Sequence, residues 1–173
     1  MVDAGKFRPK TVYVTYIGST PEKVWQALTD PVFTRQYFFG FAVDVEPKQG
    51  GAFFLRYPDG RVHVSGRVLD WSPPRRLSCT WLVEGMKEFA DLPECIVSYD
   101  IEPAGEAVKL TMTESHSWDI PDAILAGGRS GWPAILSSLK SLCETGKAPA
   151  IQMAPPPGFM DAVKKAVAEK PWG

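Results

Sequence analysis

Asparagine is absent from the 173 residues, so the chain has no N-glycosylation acceptor. Histidine occurs only twice, as His63 and His116, and no metal-ligand cluster of recognised spacing exists. The three cysteines, Cys79, Cys95 and Cys143, are odd in number and widely separated, with no C-x-x-C pair. They read as reduced, buried thiols of a cytoplasmic protein, not as a disulfide framework. No stretch approaches the roughly 20 apolar residues of a membrane span. The first ten residues are polar and lack the apolar core of a signal peptide. A net charge of −1 leaves no basic footprint, so neither nucleic acid nor a membrane is expected as a partner. A Gly-rich phosphate loop and a G-x-S-x-G elbow are also missing, because Gly128-Arg129-Ser130-Gly131 has the wrong spacing. Neither a cofactor nor a metal is expected.

What is present is the composition of a globular protein, 45% hydrophobic and 23% charged. The length suits one domain that buries roughly 70% of its unfolded surface. The densest local signal runs from Ser19 to Pro31. Ser19 or Thr20 can cap a helix with Pro21 in its first turn, and Glu22, three residues after Ser19, completes a capping-box pattern. Asp30-Pro31 repeats the cap-then-proline signal, ending one short helix and starting another over residues 31–37.

Around these helices the pattern is strand and turn. Residues 11–17 alternate before them. After them, strands are predicted over 41–45, 52–57, 62–71, 77–83, 95–101 and 107–116, with Pro58-Asp59-Gly60 a strong hairpin turn. Residues 84–93 read as a longer polar loop. Consecutive strands joined this way are expected to pair antiparallel. Trp132, Ile135, Leu136, Leu139, Leu142 and Cys143 then form the apolar stripe of a long helix, with Gly146 as its stop. Its start is ambiguous, since 122–126 reads as helix but Gly127-Gly128 and Pro133 interrupt. Beyond it, Pro155-Pro156-Pro157 is a stiff spacer, and Phe159, Val163, Ala166 and Val167 form the stripe of a short terminal helix. That helix must dock on its own domain, dock on a neighbour, or fray.

The order of one strand, two short helices, a six-stranded meander and a long helix describes the α+β helix-grip fold. Three segments carry a family resemblance. Thr20-Pro21-Glu22-Lys23-Val24-Trp25-Gln26-Ala27-Leu28-Thr29-Asp30-Pro31 resembles the N-terminal motif of the activator of heat-shock protein 90 ATPase homologue-like family. Gly66-Arg67-Val68-Leu69-Asp70-Trp71-Ser72-Pro73-Pro74-Arg75-Arg76-Leu77, continued by Cys79-Thr80-Trp81, is similar to its strand, Pro-Pro turn and strand. Gly131-Trp132-Pro133-Ala134-Ile135-Leu136-Ser137-Ser138-Leu139-Lys140 is similar to the start of its last helix. The resemblance covers about residues 11–145 and implies membership of the START-like, or SRPBCC, superfamily. It implies a curved sheet of about seven strands around the long helix, with a cavity between them. A START-like domain is therefore expected over residues 1–146, and a proline-rich linker with a short helix over 147–173.

Members of that superfamily bind, catalyse, transport or assist chaperones, so the residues must decide. On the last strand Val108, Leu110 and Met112 share a face that Glu114 and His116 continue, with Trp118 nearby. If that face lines the cavity, Glu114 and His116 give it a polar rim; otherwise the strand leaves the core at Glu114 and both are solvated. Trp25, Trp81, Tyr99 and Trp132 supply large amphipathic groups, either to the cavity or to plain core. Phe38, Phe39 and Phe41 form a lid or cap the core. Arg56 and His63 reach a ligand carboxylate or sit on a solvated face. The leading expectation is non-catalytic binding of a small apolar or aromatic molecule. One alternative is a co-chaperone-like module stimulating a chaperone ATPase. Another is a cyclase- or dehydratase-type enzyme using Glu114 or His116. The terminal helix and Phe159 offer a route to a homodimer through the tail.

Overall fold

A computed structural model describes residues 2–173. Met1, the first residue of the expected domain, lies outside the described residues. β1 (Arg8–Ile17) is followed at once by α1 (Pro21–Thr29) and α2 (Pro31–Tyr37). Thr20 is the N-cap of α1, accepting from the Lys23 N–H at 3.3 Å. Ser19 lies one residue outside that cap, so its pattern with Glu22 forms no reciprocal box. Asp30 closes α1 and caps α2, its carboxylate accepting from the Val32 N–H at 2.9 Å. Pro31 occupies the first helical position, where a missing N–H costs nothing.

Six strands follow: β2 (Ala42–Val45), β3 (Ala52–Arg56), β4 (Val62–Ser72), β5 (Arg76–Val83), β6 (Cys95–Ala104) and β7 (Ala107–His116). With β1 they form one seven-stranded antiparallel sheet in the order β1-β7-β6-β5-β4-β3-β2. The meander thus returns to the first strand and leaves β1 and β2 at the edges. β1 starts three residues before the alternation predicts, because Arg8 and Pro9 still find partners in His116 and Ser115.

α3 (Asp122–Thr145) crosses the sheet and ends at Gly146, whose φ of 80° is the left-handed stop predicted for it. It is continuous through Gly127, Gly128 and Pro133. Each glycine forgoes about 1 kcal/mol of helix propensity relative to alanine. Both sit where something comes close: a Cβ on Gly127 would lie 2.4 Å from the Phe159 ring, and one on Gly128 2.9 Å from Glu114 Oε2. Close approach therefore explains the two glycines that look like helix breakers.

The main core lies between α3 and the inner sheet face, where Val108, Leu110, Met112 and Leu139 are fully buried. A second apolar cluster joins Trp118, Ile120, Ile124 and Leu125 to Val163 and Ala166 of α4 (Phe159–Glu169). The terminal helix docks on its own chain, so the stripe that offered a route to a homodimer is used internally, with Val163 at 0% exposure.

Candidate functional site

A cavity of about 190 Å³ opens where the C-terminal end of β7 meets α3. β5 contributes Trp81 and Val83, β6 contributes Cys95 and Val97, and β7 contributes Glu114 and His116. Trp118 and Ile120 follow β7, while Ile124, Gly128 and Trp132 come from α3. The remaining wall is Leu82 of β5, Phe89, Leu92 and Pro93 of the 84–93 loop, and Phe159 of α4, with the Phe89 and Phe159 rings 5.4 Å apart.

Period-two alternation puts Glu114 and His116 on the inward face of β7, and the second cluster covers them. Their side chains are 12% and 8% exposed. His116 Nε2 lies 2.7 Å from Glu114 Oε1, and the Trp132 indole N–H donates to Glu114 Oε2 at 3.0 Å. An indole can only donate, so Oε2 is an acceptor. With the carboxylate ionised and accepting on both oxygens, the imidazole proton sits on Nε2. In the neutral ring Nδ1 then carries a free lone pair. His116 Nδ1 and Trp118 Nε1 are buried and have no hydrogen-bond partner among the described residues. Tyr13 Oη shares that condition, and its pKa is raised, first by burial and then by the Glu114 charge, with Arg129 opposing.

The site holds no activated thiol. Burial pushes the Cys95 pKa well above its ordinary value, and the Glu114 charge adds to the shift. A thiol held protonated is a poor nucleophile. Beneath the cavity the Trp132 ring packs against Phe38 at 5.7 Å, Trp81 at 5.6 Å and Tyr99 at 6.3 Å. This aromatic group holds the Trp132 N–H on the carboxylate. Burial also raises the Tyr99 pKa, so its phenol stays neutral.

The twelve candidate residues therefore separate by position. Trp81, Glu114, His116, Trp118 and Trp132 line the cavity. Phe38 and Tyr99 back it through Trp132, and Met112 is fully buried in the core opposite Tyr99. The other four lie elsewhere. Trp25 packs edge-on against Trp71 at 4.9 Å. Phe39 is 48% exposed in a left-handed turn with φ of 51° and does not line the cavity. Arg56 pairs with Asp44 at 2.9 Å over the Phe54 ring. His63 stacks on Phe41 at 4.1 Å and meets Tyr57 Oη at 3.1 Å.

Sequence reasoning missed Phe89, Leu92, Cys95, Ile124, Gly128 and Phe159. The spacing of Phe89 and Leu92 within a polar loop was the available signal for the first two. Phe159 was visible as an apolar stripe, but its docking partner was not. Among the described residues no group of three or more His, Cys, Asp or Glu side chains is placed to hold a metal ion, and no helix is long and apolar enough to cross a membrane.

Residues 19–144 match the family described as Activator of Hsp90 ATPase homolog 1-like protein. Among solved structures, a protein from Mesorhizobium loti is similar at 28% identity and a TM-score of 0.60, over 76% of this chain and 96% of that one. CalU16 from Micromonospora echinospora is similar at 20% identity and a TM-score of 0.63, over 94% and 92%. The Aha1 dimer from Colwellia psychrerythraea is similar at 19% identity and a TM-score of 0.61, over 79% and 97%. The last two likenesses show the helix-grip fold. No curated protein matches the chain. Phe159 lies beyond the residues the family match covers, so one cavity wall is built outside the shared region.

Proposed function

Because the chain belongs to the Activator of Hsp90 ATPase homolog 1-like family, whose helix-grip fold leaves space between sheet and helix, we propose that it binds one small, largely apolar molecule in the cavity around Glu114, His116, Trp118 and Trp132. The single observation behind this reading is a largely apolar cavity bordered by Glu114, His116 and Trp118, in which the His116 Nδ1 and Trp118 Nε1 atoms are buried without a hydrogen-bond partner among the described residues. Buried polar groups normally find partners, and leaving one unmade costs about 1–3 kcal/mol. Apolar walls with a few placed polar groups are how small-molecule sites achieve both affinity and orientation.

Size sets the ligand class. Drug-sized ligands need about 300–1,000 Å³, whereas a dry cavity of about 150 Å³ accepts benzene. At about 190 Å³ the cavity suits a single ring and is too small for a lipid chain. Binding is non-catalytic in this reading. The Cys95 thiol is held protonated, and the Glu114 carboxylate is already engaged on both oxygens. Residues 1–146 act as the START-like domain, and 147–173 act as a linker and helix that complete the cavity wall. The three buried, unpaired cysteines favour a cytoplasmic location.

Titration with toluene, followed by thermal shift and tryptophan fluorescence, tests the reading, since Trp81, Trp118 and Trp132 all line the cavity. Saturable stabilisation with Kd on the order of 10–1,000 µM is expected for so small a ligand. No saturable response from toluene or any of its one-ring analogues would refute it. The family description favours a second reading, a module that stimulates the ATPase of a chaperone. Adding the protein to an Hsp90 ATPase assay tests this directly, and an unchanged rate removes it.

A further inference from the structure

We propose that α4 is a lid: it undocks to admit the ligand, and a bound ligand holds it shut. This rests on the cavity-binding reading above and deepens it by naming the element that regulates entry. Phe159 places α4 in the cavity wall. Its ring lies 5.4 Å from that of Phe89 on the 84–93 loop and packs where Gly127 lacks a side chain. Ile124 and Gly128, one helical turn apart on α3, line the cavity at the same place. Departure of Phe159 therefore opens the cavity along α3 while the walls from the sheet and α3 stay in place.

The way α4 is held permits this motion. Among the described residues, no hydrogen bond or ion pair joins residues 150–173 to residues 2–149. The last polar tie is the Ser138 hydroxyl, which donates to the Pro149 carbonyl at 3.4 Å. Docking is apolar and non-directional: Val163 and Ala166 join Ile124 and Leu125, and Trp172 packs edge-on against Trp118 at 5.0 Å. These residues form a cluster separate from the main core, so α4 can leave with that core intact. α4 has 11 residues, and its N-cap, Gly158, offers no side-chain bond. Isolated helices shorter than about 12–15 residues are marginal in water, so α4 depends on docking to stay helical. No helix or strand stiffens its tether over residues 147–158. Such a segment opens at lower cost than the whole domain. A ligand touches Phe159 only when α4 is docked, so binding and docking strengthen each other by the same factor.

Amide hydrogen exchange on the full chain, with and without toluene, tests the lid. Without ligand, α4 amides are expected to exchange at least about tenfold faster than the α3 amides around Leu139. At a toluene concentration ten times its Kd, α4 exchange should slow roughly tenfold, the factor for a ligand that binds only the docked form. Phe159→Ala removes the contact that both docking and ligand use. It should speed α4 exchange roughly tenfold and shrink the toluene effect. Exchange of α4 as slow as that of α3 in the free chain would make α4 a fixed wall and overturn the proposal. Unaltered α4 exchange in Phe159→Ala would overturn it too. If toluene binds but leaves α4 exchange unchanged, only this inference fails. If toluene does not bind, the cavity-binding reading fails and the lid fails with it.

Discussion

Gly127 of α3 leaves the space that the Phe159 ring of α4 fills: a methyl group at position 127 would lie 2.4 Å from the ring's Cε2. The long helix thus accepts the terminal helix through a missing side chain. Gly127→Ala sets two effects against each other. Alanine gains about 1 kcal/mol of helix propensity, while forcing a methyl into a packed contact costs about 1–3 kcal/mol. The expected net is a destabilisation of up to about 2 kcal/mol, with faster protease cleavage in the 147–158 linker. A higher melting temperature with unchanged cleavage would show that the ring moves aside freely.

Truncation after Gly146 asks whether the tail serves its own chain. It removes Phe159, Val163 and Ala166 from the second cluster and uncovers Ile124 and Leu125. Burying one large apolar side chain contributes about 1.5–3 kcal/mol, less the entropy of ordering the tail. A loss of roughly 2 kcal/mol is expected, measured by urea unfolding, together with weaker toluene binding because Phe159 lines the cavity. Light scattering should give the same number of chains per particle before and after truncation. A halved mass would mean that the tail joins two copies.

Trp132 and Glu114 give a third prediction. Trp132→Phe keeps an aromatic ring against Phe38 and Trp81 but removes the N–H that holds Oε2. Hydrogen bonds to charged groups contribute about 1.5–3 kcal/mol, and a carboxylate 12% exposed has little water to replace the lost donor. Unfolding free energy should fall by that amount. Glu114→Gln should cost less than Glu114→Ala, because the amide still accepts from the Trp132 N–H and fills the same space. Equal costs would mean that volume matters at this position and hydrogen bonding does not.

These variants also show where sequence reading succeeds. Alternation and capping placed every strand and both short helices, because each depends on neighbours a few residues apart. Thr20, Asp30 and Gly146 act where their chemistry requires. The inward face of β7 followed from period two, so Glu114 and His116 were legible as a pair. Their hydrogen bond was not, because it depends on burial supplied by α3 and α4, distant in sequence. Gly127 and Gly128 were misleading for the same reason: a glycine that admits a distant ring looks locally like one that breaks a helix. Arg56 and His63 flank a real hairpin turn, but hairpin position does not say whether a side chain faces the cavity.

His63 supplies a pH prediction independent of the cavity. It stacks on Phe41 at 4.1 Å, and Tyr57 Oη lies 3.1 Å from its Nδ1. Burial lowers its pKa below the ordinary histidine value, so the folded protein holds it neutral at pH values where the unfolded chain would bind a proton. The unfolded state therefore takes up protons first as pH falls. The contribution of His63 to stability is fully present above about pH 6.5 and is lost as pH falls through the lower folded-state pKa. Unfolding free energies from pH 7.5 down to pH 5 should show this decline. His63→Phe keeps the stacking, gives up the Tyr57 bond for about 1 kcal/mol at neutral pH, and should flatten the slope. Toluene affinity at pH 7.5 should not change, since His63 does not line the cavity. A slope as steep in His63→Phe as in the unaltered chain would assign the acid sensitivity to other groups.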